Sequence, residues 1–257
     1  MSKLHISVSP ETIAQIGGFK ITNSLLTSLI VLTLLVVLAI KAASEKESKK
    51  KGKLSILIEM VIEGFYNFFE SIAGKKVQTL FPILFTFFIF IIVGNWIGLL
   101  PGVGSIGFWE EGERERVLIP LLRSPNADLN TTFALALISV GVTQYLSIKA
   151  LGIKGFIKRF INIKNPIDFI VGFLEIISEF SKILSFSFRL FGNIFAGEVL
   201  LAVMVFLIPV LIPVPFLALE VFVGFIQALV FTMLTLIFIV LAQDHGQGEA
   251  QEKAPIK

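Results

Sequence analysis

Between Leu80 and Leu100 the chain reads LFPILFTFFIFIIVGNWIGLL and carries no charge. A helix of about 20 apolar residues is what crosses the hydrocarbon core of a bilayer. In lipid every backbone N–H and C=O must be satisfied internally, which leaves only helices and closed barrels. Comparable runs lie at 22–42, 129–150, 166–208 and 216–242, and 55% of the 257 residues are hydrophobic. None alternates apolar with polar residues, so a barrel is excluded. The expected fold is an all-α polytopic membrane protein, a single membrane domain over 1–257 with five membrane-crossing helices.

A sixth helix is expected at 54–73, where Glu59, Glu63 and Glu70 share one face and the rest is apolar. That pattern suits an interfacial amphipathic helix, or one packed between others, better than a free span. With this helix on the surface, the basic stretches at 44–53, 75–76 and 149–164 fall on one side. The positive-inside rule makes that side cytoplasmic, with the N-terminus outside and the C-terminus inside. The loop 101–126 has four glutamates against three arginines and is expected outside.

Composition removes several function classes. There are no cysteines, so no disulfide or thiolate metal site, and two histidines, His5 and His245, near opposite ends, so no metal centre is expected. The net charge of +3 reads as loop charge, and no nucleic acid is expected as a partner. No phosphate-binding loop or nucleophile constellation is present, so neither a cofactor nor catalysis by this chain alone is expected. The first residues lack the basic-then-apolar order of a signal peptide.

Residues 166–208 hold no clear helix breaker until the prolines at 209–215. Upright, such a helix would be roughly 64 Å long against a core of about 30 Å, so it must tilt steeply or run along the interface. This stretch carries Glu175, Glu179, Lys182, Arg189, Asn193 and Glu198, and the last helix carries Glu220 and Gln227. Ionisable groups in the membrane cost at least a few kcal/mol each and point to function. Glu179 and Lys182 can pair at i, i+3. Arg189 has no acidic neighbour on its own helix; it shares a face with Asn193, while Glu198, about 900° further on, faces the other way. If the last two helices form a hairpin, Glu198 faces Glu220 and Arg189 faces Gln227, both pairs centred on residues 208–209. Two close carboxylates in low dielectric should titrate as a coupled, proton-holding pair. Arginine stays protonated, blocks direct proton passage and attracts a carboxylate carried past it.

The segment SFRLFGNIFAGE, Ser187 to Glu198, closely resembles the signature of subunit a of F-type ATP synthase. GNWIGLLP (Gly94 to Pro101), SPNADLNTTFALAL (Ser124 to Leu137), GFLEIISEFSKILSFSFRLFGN (Gly172 to Asn193) and GFIQALVFTMLTLIFI (Gly224 to Ile239) extend the resemblance over roughly residues 20 to 242. It implies a proton-conducting stator subunit with two offset half-channels that reach a ring of c subunits and are separated by Arg189. It places Glu198, Glu220 and Gln227 in the outer half-channel and Asn193 beside the arginine. Asn95, Asp128 and Glu175 fall on further polar positions, Glu175 toward the cytoplasmic exit. The implied partners are the c-ring, the peripheral-stalk subunit b, the catalytic head and the lipid bilayer. The implied location is a bacterial plasma membrane, with a thylakoid as the second choice. Many members pair a glutamate with a histidine where this chain has Glu198 and Glu220, and some carry an aspartate at the position of Gly98. The alternative reading, a stand-alone ion or solute transporter, needs broken helices and internal repeats that the sequence lacks.

Overall fold

The computed structural model describes residues 7–46, 52–100, 102–111, 116–160, 166–208 and 213–252. Six helices dominate them: α1 (Asn23–Lys46), α2 (Lys53–Ala73), α3 (Val77–Ile97), α4 (Leu129–Phe160), α5 (Pro166–Leu207) and α6 (Pro213–Glu252). Segments 23–44, 56–97, 129–160, 169–207 and 213–243 are long and apolar enough to cross a bilayer, as a polytopic membrane protein requires. Two small antiparallel hairpins, absent from the expectation, flank them: β1 (Thr12–Ile16) with β2 (Phe19–Thr22), and β3 (Gly107–Glu111) with β4 (Arg116–Pro120). Gly17 and Gly18 turn the first hairpin with φ of 58° and 87°, the left-handed pair that a tight two-residue turn needs. His5, part of the charged stretch (47–51), Asn165 and the prolines' first residues (209–212) lie outside the described residues.

One connector fixes the ends of the bundle. Ser124 and Asn126 donate to the carbonyls of Gly94 and Ile91 near the end of α3. A Cβ on Gly98 would sit 2.8 Å from that of Ser124, so the connector lies in a groove that glycine leaves open. At the start of α1, Asn23 donates to the carbonyl of Pro120, and the Ser24 hydroxyl to Asp128. The start of α1, the end of α3 and the start of α4 therefore share one end of the molecule, the hairpin end. It follows that α2 leaves from and returns to the opposite end and makes no net crossing. Its Phe65 and Phe69 pack on Phe88 and Phe81 of α3, while Glu63 and Glu70 stay exposed.

α4 sits against both long helices through Thr132, Ala136, Ser139, Thr143 and Ser147, a buried stripe of small residues. Ser139 meets Thr235 at 2.8 Å, Ser147 donates to the carbonyl of Ala242, and Thr132 meets Ser187. Such bonds average about 0.6 kcal/mol each in membranes, so the close approach that small residues allow contributes the larger share. α4 continues past the expected Ala150 to Phe160, broken at Gly152, whose φ of 71° suits glycine. α6 begins at Pro213 rather than near Phe216, because prolines in a first turn forfeit no helical hydrogen bond. α5 is 42 residues long, about 63 Å at 1.5 Å per residue, so against a core of about 30 Å it tilts steeply or runs partly along the interface.

Candidate functional site

α5 and α6 pack antiparallel in the register that the sequence predicts. Phe186 lies 5.1 Å from Phe231, and the Glu220 carboxyl rests on Gly197. Both contacts are centred between residues 208 and 209. Gly197 is decisive, because the Glu220 carboxyl occupies the space that any Cβ there would take. Glu220 is 6% exposed, and no hydrogen bond to its carboxyl occurs among the described residues.

The two sides of α5 differ sharply. Phe186, Ser187, Leu190, Ile194 and Gly197 are buried at helical spacing, while Ser185, Arg189, Asn193 and Ala196 form an exposed face. Among the described residues Arg189 reaches only the Ser185 hydroxyl, at 3.4 Å, and Asn193 donates to the carbonyl of Arg189. Among the described residues no carboxylate pairs with Arg189. Gln227 is half-buried on α6, with no hydrogen bond to Arg189.

Glu198 points away from that face, as the half-turn offset requires, but its partner is not Glu220. Arg123, from the connector after β4, grips it: Nε lies 3.1 Å from both carboxylate oxygens and one terminal nitrogen 3.0 Å from Oε2. The carboxylate pair expected from the sequence is thus resolved into an Arg123–Glu198 ion pair and a separate Glu220. The loop's arginines read as topology markers, and only the nearness of Arg123 to the Ser124-Pro125 connector hinted at more.

A cluster at the opposite end joins α4 to α5. Arg159 pairs with Glu175 and, at 3.3 Å, with Glu179, which also accepts from Lys182 at 2.8 Å. Gly172 makes room for the carbonyl of Phe160 where the end of α4 docks. Arg159 reads as loop charge in the sequence, because α4 was expected to end near residue 150.

Residues 25–240 match the family model described as ATP synthase A chain. The chain belongs to that family. It is 33% identical over 244 residues to the ATP synthase subunit a of Syntrophobacter fumaroxidans, covering 95% of this chain and 93% of that protein. It is 32% identical to the same subunit of Moorella thermoacetica, over 90% and 95% of the two chains. With that of Desulforamulus reducens the figures are 34%, 93% and 82%.

Three polar positions implied by the ATP synthase A chain pattern lie apart from Arg189. Asn95 donates to the carbonyl of Gly224 at 3.0 Å and accepts from Asn126 at 2.7 Å, tying α3 to α6. Asp128 caps α4 through the Asn130 N–H at 2.9 Å. Glu175 belongs to the Arg159 cluster. At Gly98 the space that a Cβ would take is filled by the close approach of Ser124.

Proposed function

We propose that the α5 face bearing Arg189 and Asn193 is presented to a ring of small membrane subunits, each carrying one carboxylate, and that protons reach the ring from the hairpin end past Glu198, Glu220 and Gln227. The chain is the proton-conducting stator subunit of an F-type ATP synthase, a multi-pass membrane protein that works within the membrane-sector complex. Its relatives carry the same printed name, and nothing in them favours a stand-alone transporter.

The observation that carries the proposal is Arg189 itself. It is an obligate cation on an exposed face, and among the described residues no carboxylate lies beside it. Within a bilayer such a charge costs a few kcal/mol, so it calls for an anion from outside the chain. A passing carboxylate is neutralised there and exchanges its proton on either side. The Glu175–Arg159–Glu179–Lys182 cluster marks the path on the opposite side, and Asn95 and Asp128 hold the walls of the hairpin-end path. In this arrangement the hairpin end faces outward and the C-terminus lies in the cytoplasm of a bacterium. The c-ring, peripheral-stalk subunit b and, through the assembled complex, the catalytic head are the partners.

The chain's lack of cysteines makes a direct test simple. Asn193→Cys should form a disulfide with a cysteine placed next to the ring carboxylate in the assembled complex, and Tyr145→Cys on α4 should not. Equal cross-linking of both would remove the α5 face from the ring contact.

A further inference from the structure

We propose that Arg123 is a positioning residue of the outer path: it holds Glu198 as a fixed counter-charge and leaves Glu220 as the carboxyl that takes up the proton. This rests on the outer path proposed above and divides the work within it.

Arg123 is 6% exposed, although it comes from a connector rather than a helix. Its guanidinium grips both oxygens of Glu198, and it also donates to the carbonyls of Ser9 at 3.2 Å and Ser7 at 2.9 Å. It lies over the Phe195 ring, 5.9 Å from the centroid, and its backbone N–H donates to the Thr27 hydroxyl of α1. The fork therefore cannot swing aside without releasing the N-terminal segment, while the backbone bond separately ties the connector to α1. A carboxylate held bidentately by a cation that never deprotonates has its charge matched in place, and a proton arriving there would break charge-assisted bonds.

Glu220 is the opposite case. Its carboxyl is buried, makes no hydrogen bond among the described residues, and rests on the backbone of Gly197, the residue before Glu198. Its acceptor capacity is free. Glu198 is 41% exposed, whereas Glu220 is 6% exposed and sits against the residue next to it.

The pair makes a prediction of unusual sign. Arg123 is the buried member of the pair, so removing Glu198 alone leaves its charge uncompensated, whereas removing both is often close to neutral. The assay is ATP-driven proton uptake by inverted membrane vesicles carrying the whole complex, normalised to the amount of complex assembled. Glu198→Gln leaves the Arg123 cation bare beside the path and should lower the rate roughly tenfold. Adding Arg123→Gln to that variant should raise the rate several-fold. Arg123→Gln alone should be as slow as Glu198→Gln. Glu220→Gln should abolish uptake in the wild-type and the doubly substituted background alike. Even if Arg123→Gln alone fails to assemble, the comparison of Glu198→Gln with the double variant still decides. No gain in the double variant would mean that Arg123 serves only the N-terminal segment, and the proposal falls. Uptake that survives Glu220→Gln in the double variant would also overturn it. Wild-type uptake in both Glu198→Gln and Glu220→Gln would instead overturn the outer path itself.

Discussion

Gly197→Ala isolates the seat of Glu220 from the stability of the bundle. The new methyl would take the space now held by the Glu220 carboxyl. That carboxyl is the far end of a flexible side chain, so it can rotate away instead of forcing α5 and α6 apart. An off-rotamer shift costs about 0.5–1.5 kcal/mol, which the hairpin absorbs, and the subunit should assemble at near wild-type level. Function should suffer more. Proton transfer needs heavy atoms within about 2.6–3.2 Å, and a carboxyl pushed off by roughly one bond length leaves that range. Misplacements of about 1 Å can cost up to 10²-fold, so ATP-driven pumping should fall at least tenfold. The assay is proton uptake in inverted vesicles, with the subunit quantified by blotting. Glu220→Asp in the same background, one methylene shorter, should recover part of the rate. Wild-type pumping by Gly197→Ala would refute the reasoning, because it would mean that the Glu220 carboxyl need not stand over residue 197.

Three further substitutions separate scaffold from path. Asn95→Leu breaks the tie between α3 and α6 and leaves the Asn126 amide short of a partner, at about 1–3 kcal/mol; subunit abundance should drop while pumping per assembled complex holds. Asp128→Ala removes the α4 cap for about 1 kcal/mol and also the Ser24 contact, which should lower the temperature at which the detergent-extracted complex loses this subunit. Arg159→Gln strips the cation from two carboxylates on α5, so pumping should fall, and adding Glu175→Gln should restore part of it.

The helical architecture is legible in the sequence because lipid leaves a chain few choices. Apolar length gave the spans, the three glutamates gave the non-crossing α2, and the centring on residues 208–209 gave the α5–α6 register. The half-turn between Arg189 and Glu198 follows from helical pitch alone. What sequence periodicity could not reach lies in connectors and at single glycines. The hairpins at 12–22 and 107–120 are short and packed at one end of the bundle, without the length that makes an apolar run conspicuous. Arg123 finds Glu198 across a separation that no local pattern encodes. Gly197 reads as one small residue among several until Glu220 is seen standing on it.

The central claim is that Arg189 keeps two proton paths apart by meeting a carboxylate from another subunit. Its most direct test is ATP-driven proton pumping by the complex carrying Arg189→Ala, with binding of the catalytic head to the same membranes as the control. The account predicts that the head still binds and that pumping is lost. Wild-type pumping rates with Arg189→Ala would contradict it.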